Sequence, residues 1–248
     1  MPQTAAMRRI AILLIALFAA AGSPLAAQSV VHEDVIEETG VVAQGGSDRF
    51  VDSEPSPALP SGIATYGPFR VLDGTRAALI AATDARSPGQ FAAMLRVFPQ
   101  IRTIEMIECP GTDDDRANLR LGRMIHARGI AMHVPGGGSV RSGAVELFLA
   151  GSRRIADLGA EFAVHSWADE DGHEPRHFAA DAPENRLYID YYRAVGMSEA
   201  QANAFYAMTN SVPNADAKWL TAAEMALWVR LDAPEQPARP LDLALAVN

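Results

Sequence analysis

Apolar and polar positions between residues 61 and 232 change their period several times, which divides this part of the chain into short elements. FRVLDG and TRAALIAAT predict two strands on either side of the turn Asp73-Gly74. Ser87 and Pro88 then open a predicted helix, with serine as the cap and proline at the first helical position. Its apolar residues recur at helical spacing, namely Phe91, Met94, Leu95 and Phe98.

Strands and helices continue to alternate after this helix. The pattern predicts a strand at 101–108, a helix at 116–129 ended by Gly129, a strand at 130–134, a helix from about 143 and a strand at 160–167. Such alternation predicts an α/β fold with mostly parallel pairing and right-handed crossovers. Because ligands lie at the carboxyl ends of parallel strands, we expect CPGT, GGGSVRSG and His165 to converge.

A helical region closes the predicted domain. ENRLYIDYYRAVG predicts a helix ended by Gly196, and the next helix opens with a capping box of Ser198 and Gln201. Residues 168–183 precede both helices, are polar and contain Gly and Pro, which predicts a loop or a lid.

The two ends of the chain have a different composition. Arg8 and Arg9 precede an apolar run and small residues ending at Ala27, the layout of a cleaved secretory signal peptide over 1–27. The twelve apolar residues of this run are few for the alternative, a membrane anchor. Residues 28–60 predict a disordered linker and residues 233–248 a flexible tail, which leaves 61–232 as the domain. We therefore expect a periplasmic or secreted protein.

The net charge and the counts of cysteine and lysine exclude some partners and some kinds of site. The net charge of −9 becomes −11 without residues 1–27, which hold two arginines and no acid, and this argues against nucleic acid or anionic lipid as a partner. The single cysteine, Cys109, excludes an internal disulfide. Lys218 is the single lysine, so a proton-accepting amine is available at one position.

Ser142 is the leading candidate nucleophile. It precedes Gly143 at a predicted helix start, where backbone N–H groups are available for an oxyanion, and His165 follows at a strand end. The alternative from spacing alone is that Ser142 is only a helix cap and His165 a core histidine. Ser139 is a second candidate nucleophile, and its alternative is an ordinary turn residue.

Several segments together resemble a known family. Ser-Gly-Ala precedes an apolar helix ending Leu-Ala-Gly, followed by Arg and then by a Gly-Ala-x-hydrophobic-x-x-His strand. Cys-Pro-Gly follows an earlier strand, and Trp-Leu-Thr-Ala-Ala-Glu follows at 219–224. In order and spacing these residues resemble the ClpP/crotonase-like superfamily over about residues 65–232, and in particular its exported bacterial branch, which is similar to the Clp protease proteolytic subunit.

The resemblance implies a spiral of β-β-α units and a serine hydrolase, in particular a peptidase, acting on a peptide or acyl substrate. It implies Ser142 as nucleophile, His165 as general base, and backbone N–H groups of Thr112 and Gly143 as the oxyanion hole. Asp216 is implied as the third triad member, with Asn214 as its rival. It also implies that no cofactor is needed and that the chain forms a homo-oligomer, and export implies that no ATPase is a partner.

Two departures from the family pattern favour a different class of function. Thr112 stands where the family has a glycine, and Glu146 lies one helical turn after Ser142. Both are compatible with a non-catalytic binding or scaffold protein on the same fold. A crotonase-like enzyme acting on acyl thioesters is a further alternative, which export disfavours.

Other patterns indicate less. His165, His173 and His177 match no zinc-ligand spacing, so no metal is expected. The three aspartates at 113–115 are typical of helix capping, and the glycines at 136–138 lack the lysine of a phosphate-binding loop. A Ser–Lys dyad would need Lys218.

Overall fold

The structure, a computed structural model, describes residues 58–233. In chain order the elements of this range are β1 (Ala64–Tyr66), β2 (Phe69–Val71), β3 (Arg76–Leu79), α1 (Ser87–Val97), β4 (Thr103–Met106), β5 (Glu108–Cys109), α2 (Asp115–Ala127), β6 (Ala131–Val134), β7 (Ser139–Arg141), α3 (Gly143–Leu149), β8 (Arg154–Ala156), β9 (Glu161–Val164), a 3₁₀ turn (Pro175–His177), α4 (Pro183–Ala194), α5 (Glu199–Thr209), β10 (Lys218–Thr221) and α6 (Ala222–Met225). Strands and helices alternate over most of this length, as the sequence predicts.

The strands form two sheets. The larger has the order β1-β2-β3-β4-β6-β8, antiparallel at its first two junctions and parallel from β3 onward. The smaller has the order β10-β9-β7-β5, in which β5, β7 and β9 are parallel and β10 is antiparallel. The chain places one strand in each sheet and then a helix, first as β4-β5-α2 and next as β6-β7-α3, before β8 and β9. This confirms the predicted spiral of β-β-α units.

The core lies between the sheets and the helices. Phe148 of α3 and Phe162 of β9 are fully buried, with ring centroids 4.9 Å apart. Helix α4 approaches α2 closely at Gly122, because a Cβ atom there would lie 2.0 Å from the hydroxyl oxygen of Tyr191. The helices are therefore fixed against the sheets by packing, and their ends hold defined positions beside the smaller sheet.

The smaller sheet was only partly visible in the sequence. The predicted single strand at 101–108 was wrong, because the chain bends at Ile107 and passes from β4 in one sheet to β5 in the other. The predicted turn at GGGSVRSG was also wrong in part, since Ser139–Arg141 is strand β7, buried between β5 and β9. Pairing on both sides, rather than local propensity, makes this short segment a strand.

The predicted cap of α1 was wrong as well. Ser87 is the first helical residue, Arg86 occupies the cap position without a side-chain hydrogen bond, and the Ser87 hydroxyl donates to Asp84 instead, at 2.9 Å. Other predictions of helix ends are confirmed. Gly129 follows α2 with φ +63°, and Ser198 forms the predicted capping box of α5.

The calls on the chain ends lie outside the described residues: the signal peptide at 1–27, nearly all of the linker at 28–60, and the tail after Ala233. The boundaries 61 and 232 stay predictions. Among residues 58–233 no helix has the length and apolar character needed to span a bilayer.

Candidate active site

Three neighbouring strands of the smaller sheet each end at a candidate residue. Gly111 and Thr112 follow β5, Ser142 follows β7, and His165 follows β9. Because these strands are parallel and adjacent, their carboxyl ends lie at one edge of the sheet. Ser142 and His165 line the same cavity there. The convergence that the sequence predicts is therefore present.

Ser142 has an unusual backbone conformation. Its φ of 50° and ψ of −129° make it the one non-glycine residue with positive φ in residues 58–233. It stands at the cap position of α3, yet its hydroxyl makes no capping hydrogen bond. The simple helix-cap interpretation is therefore not supported by the geometry. Strained backbone of this kind costs free energy and is concentrated at functional sites.

Two glycines let the turn after β5 approach Ser142. A Cβ atom on Gly111, which has φ +137°, would lie 3.1 Å from Cβ of Ser142. A Cβ atom on Gly143 would lie 2.5 Å from Cγ2 of Thr112. The side chain of Thr112 therefore lies against Gly143, which brings the turn after β5 next to the start of α3, where two converging N–H donors would be needed.

The directions of those donors follow from the local pairing. Thr83 donates its N–H to the carbonyl of Gly111 and accepts from the N–H of Asp113, as in a parallel bridge. The N–H of Thr112 therefore points to the other side of its strand. The N–H of Gly143 is the first of α3 and has no helical carbonyl to bind.

The side chain of Asn118 binds the turn at Ser142. The sequence analysis did not single out this residue. This fully buried residue of α2 donates from Nδ2 to the carbonyl oxygen of Gly143 at 2.6 Å and accepts from the Thr83 hydroxyl at 2.9 Å. One amide therefore fixes both turns that frame the candidate oxyanion hole. Its position on the apolar face of α2 was the available signal, since a buried amide requires partners.

The imidazole of His165 is oriented by the carbonyl of Ser166, which Asn214 also binds. Its Nδ1 lies 2.8 Å from the carbonyl oxygen of Ser166 and 3.2 Å from Nδ2 of Asn214. Asn214 donates to the same carbonyl at 2.8 Å. A neutral ring with its proton on Nδ1 donates to Ser166, and this tautomer leaves Nε2 as the proton acceptor.

The remaining candidates lie elsewhere. Asp216 is exposed, and its carboxylate accepts from the N–H of Ala217 at 3.0 Å, so Asn214 is the rival that lies beside His165. Ser139 is buried in β7, where its hydroxyl accepts from Arg141 at 3.0 Å. Lys218 pairs with Val164 across the β10–β9 junction and is not among the residues that line the cavity.

The predicted loop at 168–183 is folded onto this edge of the sheet. Glu174 accepts from the N–H of Asn214 at 3.1 Å, and the ring of Phe178 lies 5.4 Å from that of Trp167. The segment therefore supports the residue that contacts His165. Its role as a moving lid stays a prediction.

The cavity beside Ser142 has a volume of about 40 Å³. Its lining residues are Asp115, Ser142, Gly143, Val145, Glu146, Val164, His165, Trp167, Ala168, Tyr188, Tyr192, Tyr206, Thr209 and Asn210. Glu146, one of the two departures named above, thus lies in the site, where it is one of two acids that line the cavity.

Both acids are affected by burial. Glu146 is 8% exposed, and burial raises its pKa to about 7, against the hydrogen bond that Tyr192 donates to it at 2.8 Å. Burial likewise raises the pKa of Asp115, which accepts from Tyr188 at 2.8 Å. Each carboxyl therefore uses one oxygen for a tyrosine and lies in surroundings that oppose its negative charge.

One cluster on the described surface contains residue types that can bind a metal ion. Asp169, Asp171 and His173 bring their ligand atoms within 4.8 Å of one another. The Asp169 carboxylate already accepts from the N–H groups of Asp171 and His173 and lies 3.2 Å from the His173 ring. These contacts explain the cluster as a local turn.

No protein-family model and no curated protein matches this chain. Some solved structures do. A mutant of a membrane-bound stomatin-specific protease in complex with a substrate peptide is 13% identical, with a TM-score of 0.44, covering 64% of this chain and 73% of that one. A membrane protease specific for a stomatin homologue from Pyrococcus horikoshii is 12% identical, with a TM-score of 0.41, covering 64% and 71%. A ClpP1 mutant from Listeria monocytogenes is 18% identical, with a TM-score of 0.40, covering 65% and 91%. At these identities and TM-scores the similarity is no evidence of a shared activity.

Proposed function

We propose that the chain is a serine hydrolase that cleaves acyl bonds, with peptides as the substrate class. The observation that carries the proposal is Ser142, whose backbone is strained and whose hydroxyl lines a cavity that His165 also lines. A capping serine would use its hydroxyl to bind a helix N–H, and this one does not.

In the proposed reaction the Ser142 hydroxyl attacks the carbonyl carbon while Nε2 of His165 takes its proton. The N–H groups of Gly143 and Thr112 bind the oxyanion of the tetrahedral intermediate. When that intermediate collapses, the imidazolium returns the proton to the leaving amine or alkoxide. Water then attacks the acyl-enzyme with His165 as base again, which releases the acid and restores the Ser142 hydroxyl. The reaction uses no cofactor.

Asn214 and the carbonyl of Ser166 take the part that an acid has in a Ser-His-Asp triad. The carbonyl accepts the Nδ1 proton, and the amide of Asn214 fixes the carbonyl. The resulting site orients the imidazole without a full negative charge beside it, so it stabilises the imidazolium less than a carboxylate would. Asp216, the third member that the resemblance implies, instead accepts from the N–H of Ala217 at the surface.

The same neutral partner favours one alternative, a non-catalytic binding protein on this scaffold. Labelling with a fluorophosphonate probe separates the two. We expect the purified chain to be labelled, Ser142→Ala and His165→Ala to lose the label, and Ser139→Ala to keep it as the matched control. A folded wild type that takes no label would move the assignment to the binding protein.

Signal-peptide composition and the resemblance support two further parts of the proposal. We place the mature chain in the periplasm or outside the cell, acting without an ATPase, as a homo-oligomer. Mass spectrometry of the exported protein, expected to begin after Ala27, tests the export.

A further inference from the structure

The cavity beside Ser142 carries a charge imbalance that the proposed mechanism does not use. Glu146 and Asp115 both line it, and no arginine or lysine is among the lining residues of the described chain. Asp115 accepts a hydrogen bond from Tyr188, and Glu146 accepts from Tyr192 and from its own backbone N–H. Two carboxyl groups thus line one small cavity, and their oxygens can accept further hydrogen bonds.

The walls around the acids are aromatic. Trp167 stacks on Tyr188 with ring centroids 5.9 Å apart, and Tyr188 on Tyr206 at 6.1 Å. The Trp167 indole donates to the Tyr206 hydroxyl at 2.7 Å, and Tyr206 donates to Asn185 at 2.6 Å. The rings are therefore fixed in place, and they give the cavity a rigid aromatic wall beside the two carboxyls.

The charge of His165 favours ionised Asp115, whereas no cationic group of the described chain offsets the charge of Glu146. A buried carboxylate without a counter-charge is costly, and a cation in the cavity would remove that cost. The raised pKa of Glu146 is the expected response of an acid in a cavity that lacks its cation. A cavity of about 40 Å³ holds a few water molecules, so it suits the end of one substrate side chain. An ammonium group has this size and brings three donors for the two acids.

We propose that this cavity is the specificity pocket of the hydrolase and that it takes a substrate side chain ending in a primary ammonium group, with Glu146 and Asp115 as counter-charges. The inference rests on the proposed function, because the cavity is a specificity pocket only if Ser142 is the nucleophile. It names the substrate class as peptides or esters with a lysine-like side chain on the acyl side of the cleaved bond.

The test compares thioesters of Nα-acetyl-lysine and Nα-acetyl-norleucine, which differ by the ammonium group. We expect kcat/KM to favour the lysine ester at least about tenfold in the wild type, as one good charge-assisted hydrogen bond would give. Glu146→Gln and Asp115→Asn keep an acceptor for their tyrosines, and both are expected to bring the ratio toward one. Asp113→Asn is the matched control, because Asp113 is exposed and does not line the cavity. It should keep the wild-type ratio.

Equal rates for the two esters in a chain that fluorophosphonate labels at Ser142 would overturn the pocket inference and leave the hydrolase standing. So would a preference that survives in both acid variants, provided that their circular dichroism and melting match a folded protein. If the chain neither labels nor hydrolyses either ester, the hydrolase falls. Binding of n-butylammonium, measured by calorimetry, then decides the cation site: binding weakened by Glu146→Gln supports it, and no binding overturns it.

Discussion

The side-chain amide of Asn118 lies 2.6 Å from the carbonyl oxygen of Gly143, so α2 holds the residue that follows Ser142. The same side chain accepts from Thr83, whose backbone pairs with the segment around Thr112. Both backbone groups of the proposed oxyanion hole thus depend on one amide.

Replacing Asn118 by leucine, which has the same branched side-chain shape but no polar atoms, should slow labelling of Ser142 and lower the free energy of unfolding. The Gly143 carbonyl and the Thr83 hydroxyl would each lose the Asn118 hydrogen bond, and a buried group left unsatisfied costs about 1–3 kcal/mol. Labelling rate and urea unfolding measure the two effects. Asn203→Leu is the control, since Asn203 is exposed and bonds only its own helix at Glu199. An Asn118→Leu variant with wild-type labelling would show that the amide does not position the site.

Gly143→Ala should reduce both labelling and stability, because the added Cβ would lie 2.5 Å from Cγ2 of Thr112. Thr112→Ser removes that methyl group but keeps the hydroxyl that bonds Thr83 and Asp114. We therefore expect the double variant to regain part of both losses, which a double-mutant cycle on melting temperature and labelling rate would quantify. Strict additivity of the two changes would mean that the contact is unimportant.

Alanine variants distinguish the proposed role of Asn214 from that of Asp216. Asn214→Ala should slow labelling at least about tenfold, a part of the 10²–10⁴-fold that a positioned general base contributes, because the ring of His165 loses its support. Asp216→Ala should leave the rate within about twofold of wild type, since its carboxylate caps Ala217 at the surface. The reverse order of effects would restore Asp216 as the third member.

Stability should depend on pH through Glu146. Its pKa rises from 4.5 in the unfolded chain to about 7 in the fold, so the folded state loses stability as pH rises from about 4.5 through 7. Glu146→Gln removes the penalty and should be more stable than wild type at pH 8, by up to about 3 kcal/mol, with no such gain at pH 4. Urea unfolding at both pH values measures this.

Other titratable groups around this carboxyl are Asp115 on α2, Tyr188 and Tyr192 on α4, His165 after β9, and Tyr206 on α5. The matched control is Glu199→Gln on the exposed first turn of α5, which lies outside the cavity. A difference between wild type and Glu146→Gln that stays constant from pH 4 to 8 would contradict the assignment.

Order along the chain was a good guide to the site, and local pattern was a poor guide to its support. Ser142, His165 and Gly143 stand in motifs that can be read in sequence order. Asn118 stands in no motif, because its partners lie 25 and 35 residues away and only the fold joins them. Strand β7 was missed for a related reason: the three residues Ser139–Arg141 are too few to show a strand pattern, and pairing on both sides decides their conformation.

The backbone conformation of Ser142 lowers the stability of the fold but displays the hydroxyl that the proposed reaction needs. A conformation with φ 50° and ψ −129° suits glycine, so Ser142→Gly should melt at a higher temperature than wild type while losing all labelling. The protein would then be sturdier and inert. A chain that keeps serine here retains a strained backbone at the residue on which its proposed chemistry depends. Exchange of this serine for glycine is the simplest route by which a descendant of this fold could turn from enzyme to binding protein.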